Sequence, residues 1–536
     1  MRSAGFATTK FAKPPCVNTS NFVSIPASMF ADQEILVFED HRLTYGELWR
    51  NVQRLANALR SAGAGQSDCV AVLETNSHRY IEAYYAAALL GAVFLPLNYR
   101  AKLPELEHMI CTAKAKVLLY GDRYRELVGQ LRPRLTTVQT YVAMEPDSDD
   151  SISLAELLED AADELEPSDV DDDDVTILMY TSGTTALPKA VLLTHNHFTT
   201  YVCNNVELAD GTPRGTALLC VPLYHIAGAT NVMTTMFTGR RLVVLRQFDA
   251  DQWLEAVQRE RVTHAFLVPT MVKHLIDHPR FADYDLSSLE SISYGGAAMP
   301  FPVIRRAIEM FPSTVGFVNA FGQTETTSTL TVLGPDDHRL HGSPEDIETR
   351  LRRLRSIGRP LPDVELKVVD DEGRDLPAGE VGELWVRTER VMKGYGTAGG
   401  TTSPLRDGWL PTRDMGWIDA DGYIFLAGRK DDMIIRGGEN IAPAEVEAVI
   451  YAHPDVDEAV VLGVPDEEWG QRVGAFVVPR PGSALSEDDL IAFCKQRLAS
   501  FKAPEIMRFA TELPKNQMGK VLRNELRKEM TESVKA

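Results

Sequence analysis

Residues 180–195 read Y-T-S-G-T-T-A-L-P-K-A-V-L-L-T-H, a stretch suited to holding a polyphosphate. Thr181, Ser182, Thr184 and Thr185 supply hydroxyls, Gly183 bares the backbone, and Lys189 adds a point charge. O–H and N–H donors grip phosphate oxygens, and an ammonium neutralises them. A polar surface turn with a solvated lysine would carry the same short string, so the rest of the chain must discriminate. The helix-leading loop of nucleoside triphosphatases is excluded, because Pro188 disfavours helical geometry at Leu187 and has no N–H. An extended, flexible loop after the apolar strand 175–180 is expected.

Other segments with chemical potential follow predicted strands or turns. They are Pro222-Leu-Tyr-His225, Tyr294-Gly-Gly-Ala297, Asn319-Ala-Phe-Gly-Gln-Thr-Glu325, Trp409-Leu-Pro-Thr-Arg-Asp414, Gly428-Arg429, Gly437-Gly-Glu-Asn-Ile-Ala-Pro443 and Pro514-Lys-Asn-Gln-Met-Gly-Lys520. Residues just past strand ends converge on a ligand crevice in open α/β sheets. Singly, Gly295-Gly296 reads as a turn and His225 as a core histidine.

The elements that must position these residues alternate. Short apolar strands are predicted at 36–38, 43–45, 70–73, 93–97, 117–120, 217–221, 242–245, 265–268, 292–294 and 315–318. Helices are predicted at 80–90, 154–165, 250–260 and 303–310, and one that starts at Thr44 with Glu47 at capping-box spacing. That alternation predicts a largely parallel, helix-covered sheet. Residues 364–369 and 382–387 alternate apolar and polar, as antiparallel strands do. The last hundred or so residues hold enough helices and strands for a small α+β domain, with the boundary placed at 428–432.

The chain has 536 residues, enough for two to four domains or subdomains. Its net charge of −21 argues against nucleic acid or an anionic membrane as partner. An anionic ligand must then be held by local positive groups. No apolar run is long enough for an integral membrane segment. The six cysteines form no C-x-x-C pair, as in a cytoplasmic protein with reduced thiols. Residues 1–31 carry Arg2, Lys10 and Lys13 without an acid and are expected to be a disordered basic leader. The acid run 169–174 is expected to be a solvated loop rather than a metal site.

Taken together and in this order, the segments closely resemble the adenylate-forming superfamily. That group includes acyl- and aryl-CoA synthetases, peptide-synthetase adenylation domains and beetle luciferases. The resemblance runs from about residue 43 to residue 527. It implies an α/β N-terminal domain (1–427) of two helix-covered, mostly parallel sheets plus a small β-barrel, a hinge (428–432) and a small mobile α+β C-terminal domain (433–536). It also implies a two-step reaction with ATP, Mg²⁺ and coenzyme A: a carboxylate forms an acyl-adenylate and pyrophosphate, and a thiol then takes the acyl group.

The resemblance also assigns roles. Thr181, Ser182, Gly183, Thr184, Thr185 and Lys189 hold the β- and γ-phosphates, Thr324 donates to the α-phosphate, and Glu325 holds Mg²⁺. Lys520 bridges the substrate carboxylate and the nucleotide. Asp414 takes the ribose hydroxyls with help from Arg429, Phe321 stacks on adenine and Asn319 bonds its amine, while Gly295, Gly296, Ala297 and Gly322 border the nucleotide. His225 stands beside the acyl group, Asp431 is the hinge, and Gly437, Gly438 and Glu439 face CoA. The acyl pocket is expected from Tyr224, His225, Ile226, Ala227, Gly228, Thr230, Met271, Phe321 and Leu330, an apolar set that suits a monocarboxylic acid.

The chain departs from the family pattern at several positions. Ala186 and Ala190 replace glycines, Arg413 replaces the glycine before the ribose acid, and Phe321 replaces a tyrosine. The expected activity is that of a fatty-acid CoA ligase. An aryl- or cyclic-acid CoA ligase and a stand-alone ligase that loads a carrier protein stay open, as does a homodimer. A non-catalytic ATP-binding module is disfavoured by Lys520, Glu325 and Asp414.

Overall fold

A computed structural model of the chain describes residues 17–145, 151–181, 188–397, 400–516 and 519–535. Its larger part is built on two nine-stranded sheets. In the first, Glu34–Phe38, Arg241–Val244, Thr216–Leu219, His264–Leu267, Ser291–Gly295 and Gly316–Gln323 lie parallel in that spatial order. Antiparallel strands close both of its edges. In the second, Thr140–Ala143, Ala115–Tyr120, Cys69–Leu73, Val93–Pro96 and Val175–Thr181 are parallel, and Lys189–Thr194 returns antiparallel to the last. Strands such as Cys69–Leu73 are buried along their whole length, which is why they read as continuous apolar runs.

Local chemistry sets the element boundaries. Thr44 and Glu47 form the predicted capping box of helix Tyr45–Ser61, whose Leu48, Val52, Leu55 and Leu59 face the core. Asp249 caps helix Ala250–Glu260 by accepting from Gln252 N.

A third part is an antiparallel sheet of Glu365–Val369, Gly382–Arg387, Leu410–Ile418 and Ile424–Arg429. Its outer strands are not bonded to one another, so the expected small barrel is an open sheet here. The smaller C-terminal domain has Val456–Asp466 and Gly470–Pro479 as a hairpin, with Ile506–Phe509 parallel to the second strand. Its two apolar clusters, which include Ile434, Val461, Leu490, Leu526 and Met530, are drawn from its own residues.

The structure corrects several expectations. The predicted helix 154–165 stops at Glu159. Tertiary bonds outcompete the helix: Arg54 takes Leu158 O at 2.6 Å, and Asn57 takes Ala162 O at 2.8 Å and Glu164 O at 3.1 Å. Residues 18–29 of the expected leader are structured. Asn18, Thr19 and Ser20 are buried, and helix Asn21–Met29 packs Phe22 edge-on to Phe237 at 5.6 Å. Helices Leu103–Thr112, Arg125–Leu131 and Arg523–Lys535 were not anticipated. Among the described residues, no helix is long and apolar enough to cross a membrane.

Two core histidines make stability depend on pH. His195 accepts from Thr19 N at 3.0 Å; His338 accepts from Tyr294 Oη at 2.8 Å and donates to Gly334 O at 2.8 Å. Burial holds both near about 4, against about 6.5 in an unfolded chain. The depressed folded value makes their contribution complete above about pH 6.5 and lost as pH falls towards 4, by up to about 3 kcal/mol each. Thermal melts between pH 7 and 4.5 should show a falling midpoint, and His338→Gln should remove part of that slope. A slope the substitution leaves unchanged would contradict the assignment.

Candidate active site

The elements deliver several of the expected residues to one crevice. Strand Leu410–Ile418 carries Asp414, which pairs in register with Arg429 of Ile424–Arg429. Arg429 Nε lies 3.1 Å from Asp414 Oδ1, and Gln323 Nε2 donates to Oδ2 at 2.6 Å. Gln323 also bonds Thr412 O at 3.1 Å and thereby ties the first large sheet to the small one. Burial pushes the Asp414 carboxyl up, against the opposing pull of Arg429 and Gln323. A carboxylate has about four acceptor positions, so two bonds leave it able to take a diol.

Lys520 reaches the same place from the C-terminal domain. Its segment is anchored by Asn516 Oδ1, which accepts from Lys520 N at 3.0 Å. Gly519 has φ +68°, and a Cβ there would lie 2.3 Å from Thr270 Oγ1. Only glycine allows that approach to helix Pro269–Ile276, which also carries Met271. Lys273 on that helix pairs with Asp457 at 3.2 Å, a second bridge between the two parts. The Lys520 residue keeps solvent contact, yet crowding in the crevice and then Arg429 push its ammonium down, while Asp414 and Asp432 pull it up.

Thr324 and Glu325 open the short helix Thr324–Thr326 at the end of strand Gly316–Gln323. Tyr395 Oη donates to Glu325 Oε1 at 3.0 Å. The Lys189 ammonium lies 5.6 Å from the centroid of the same tyrosine ring. Tyr395 therefore links the lysine of the hydroxyl-rich stretch to the acid. Thr181 and Lys189 are cross-strand partners, so the two ends of that stretch meet. Ser182, Gly183, Thr184, Thr185 and Ala186 lie outside the described residues. Ala190 is buried, opposite Gly396 in the ladder, where the missing side chain leaves room for it.

The acyl side is organised by Asn76. It accepts from Leu223 N at 2.9 Å and donates to Val221 O at 2.9 Å and Leu245 O at 3.1 Å. Those bonds pin the turn that presents Tyr224 and His225. Tyr224 packs against Tyr99 at 5.2 Å and against the His225 ring at 4.4 Å. Burial lowers the His225 pKa to about 4, so the imidazole is neutral near pH 7. His225 precedes helix Ile226–Thr238, which starts with Ile226 and Ala227 and carries Thr230.

Some expected site residues do other work. A Cβ on Gly228 would lie 2.5 Å from Pro222 O, so helix–turn packing requires glycine there. Gly295 faces Ala320 O and Gly322 faces Ser328 O, at 2.2 Å and 1.8 Å from a hypothetical Cβ, so both serve strand contact. Gly296, with φ +80°, makes the turn before Ala297. Phe321 and Leu330 pack with Val364, Val386 and Leu410 on the small sheet, away from the cluster that holds Met271. Asn319 donates to Ser356 O at 3.3 Å. Gly437 and Gly438, at φ +57° and +89°, form the exposed tip of the hairpin Ile434–Arg436 and Glu439–Ile441. That tip, with Glu439, is not brought to the crevice; Gly437 N bonds Trp469 O at 2.8 Å.

Gln323, Tyr395, Asn76 and Thr270 were missed from sequence. Gln323 stood inside a quoted motif. The other three lie in segments with no chemical signature.

An α/β body whose Asp414, Arg429 and Gln323 are joined by a lysine from a small C-terminal domain has the arrangement of an adenylate-forming enzyme. The comparisons agree. The AMP-binding enzyme model matches residues 25–396, the AMP-binding enzyme C-terminal domain model matches residues 445–520, and the chain belongs to this family of AMP-forming acid–CoA ligases. It is 39% identical over 491 residues to a feruloyl-CoA synthase of Amycolatopsis sp., covering 91% of this chain and 94% of that one. It is 35% identical to the fatty acid–[acyl-carrier-protein] ligase ScoC of Streptomyces coeruleorubidus, over 91% and 92% of the two chains. The crystal structure of the anthranilate CoA ligase AuaEII with anthranoyl-AMP superimposes with a TM-score of 0.86 at 26% identity, over 98% of this chain and 99% of that one. ATP and coenzyme A are the co-substrates of such ligases.

Proposed function

We propose that this protein activates a hydrophobic monocarboxylic acid as its adenylate and passes the acyl group to CoA. The observation that carries the proposal is that Lys520 comes within electrostatic reach of Asp414 and Arg429, while Gln323, next to Thr324 and Glu325 in the chain, donates to the same Asp414. In the first step a carboxylate oxygen attacks the α-phosphorus of ATP, and the bond to the pyrophosphate oxygen breaks. Negative charge gathers around the α-phosphate, and Lys520 and Thr324 are aimed there. Lys520 also orients the carboxylate. Asp414 and Arg429 hold the ribose. In the second step the CoA thiol attacks the acyl carbonyl, and AMP leaves with the bonding electrons.

Glu325 is the residue that would hold Mg²⁺. Its Oε1 is steadied by Tyr395, and a single carboxylate suits an ion that keeps water and phosphate as its other ligands. Such an ion would neutralise phosphate oxygens. We further propose Asp431 as the hinge between a 1–427 and a 433–536 unit, with 428–432 as the joint.

A fatty acid fits the apolar lining. An aryl acid is the second reading, supported by the cluster of aromatic rings at this turn, where Tyr224 meets Tyr99 edge-on and the His225 ring at a tilt. Pyrophosphate release should be measured with decanoate, palmitate, ferulate, indole-3-acetate and malonate, with and without CoA, and the thioester identified by mass spectrometry. Apolar acids are expected to give release and an acyl-CoA; malonate is expected to give neither. Release without any CoA thioester would overturn CoA as the acceptor and point to a carrier protein.

A further inference from the structure

Arg413 holds an unfavourable backbone conformation within a strand. Its φ is +63°, the left-handed region that glycine enters freely and other residues avoid. The backbone on either side is engaged, since Thr412 O accepts from Arg429 Nη1 at 2.9 Å and Arg413 N donates to Glu383 Oε1 at 3.2 Å. From there the guanidinium meets Asp431 as a two-point ion pair, Nε to Oδ2 at 3.1 Å and Nη2 to Oδ1. Lys430 ties the same turn to the small sheet, at 3.2 Å from Glu383 and 2.9 Å from Asp371. The next residue faces the other way. Asp432 pairs with Arg527 at 3.0 Å and Arg523 at 3.8 Å, both on the C-terminal helix. Between Asp431 and Asp432 the ionic bonds of the chain change sides, from the large domain to the small one.

We propose that Arg413 is a positioning residue for the two-step reaction. By clamping Asp431 to the large domain it favours the arrangement that keeps Lys520 in the crevice, and so sets the balance between adenylation and thioester formation. The proposal rests on the hinge reading of Asp431 given above. A swing about the Asp431 N–Cα bond carries the carboxylate off the guanidinium, so the pair must open before the small domain can turn that way. Two-point guanidinium–carboxylate pairs are stronger than single ones. This pair is partly exposed, at 56% for Arg413 and 33% for Asp431, which limits its effect and makes it salt-sensitive.

The test uses the full chain and whichever of ferulate and decanoate gives the higher turnover. ATP–pyrophosphate exchange reports the first step, and single-turnover transfer from the purified acyl-adenylate to CoA reports the second. Arg413→Gln should raise the ratio of the second rate to the first by about two- to five-fold. Raising the salt from about 0.02 M to about 0.5 M should move the wild type the same way and the variant much less. Arg413→Lys should fall between the two. A purely structural arginine would lower both rates together and leave the ratio independent of salt. If Asp431→Pro separates the half-reactions but Arg413→Gln does not shift their ratio, the hinge stands and the clamp is refuted. If Asp431→Pro does not separate them, the hinge reading falls and the clamp falls with it.

Discussion

Lys520→Ala is expected to slow acyl-adenylate formation by about two to three orders of magnitude, the usual cost of removing one fixed donor from a developing charge. The reason lies in its surroundings. Crowding and Arg429 push the ammonium down, and Asp414 and Asp432 pull it up, so its charge is held against opposing influences. Its backbone is fixed by Asn516, and its loop is pressed onto Thr270 through Gly519. A lysine so held supplies orientation as well as charge, and both are lost with the side chain. Transfer from a supplied acyl-adenylate to CoA involves neither the α-phosphate attack nor the carboxylate it orients, so that step should change only a few-fold. Pyrophosphate exchange and single-turnover transfer measured on the same preparation decide the matter. Equal losses in both would mean that Lys520 holds the fold of the site and not the first transition state. Because crowding lowers the Lys520 pKa, adenylation by the wild type should also decline on the alkaline side earlier than a free lysine would dictate, at a pH below about 10.4.

The parts of this site legible in the sequence were those built from consecutive residues. Thr324 and Glu325 at a strand end, Asp414 paired with Arg429, and Lys520 after a turn all come from short strings whose order carries information. The strands were legible for a related reason: buried parallel strands leave apolar runs, and helix 45–61 announces itself through Thr44 and Glu47. What stayed hidden depends on distant contacts. Tyr395 meets Glu325 across 70 positions, and Asn76 reaches Leu223 across 147. No local pattern marks either. Glycines have a second explanation. Gly228, Gly295 and Gly322 suggested ligand approach, and each is also required by a backbone carbonyl that a Cβ would strike. The helix predicted over 154–165 failed because Arg54 and Asn57, more than a hundred positions away, claim its carbonyls. Ala190 looked like a defect of the phosphate loop and is instead a strand residue matched to Gly396.

Asp431→Pro is expected to spare adenylation within a few-fold and to cut thioester formation by about two orders of magnitude. One site can hardly hold both a lysine on the substrate carboxylate and a thiol on the same carbon, so a moving joint between the steps is required. In the present arrangement Asp431 lies in the short 3₁₀ turn Lys430–Asp432, whose φ of about −50 to −70° a proline ring reproduces. The arrangement with Lys520 in the crevice should therefore survive the substitution, while the φ rotation that leaves it is locked. The hairpin tip at Gly437 and Gly438 would then remain exposed and away from the acyl carbonyl, and misplacement by even an ångström costs about 10²-fold. Proline also deletes the carboxylate that Arg413 holds, so Asp431→Ala is the necessary companion. It opens the ion pair but leaves the backbone free to turn, and it should behave like Arg413→Gln, with transfer slightly faster than in the wild type. Loss of transfer in both variants would locate the defect in the missing carboxylate; loss in the proline variant alone locates it in the backbone rotation.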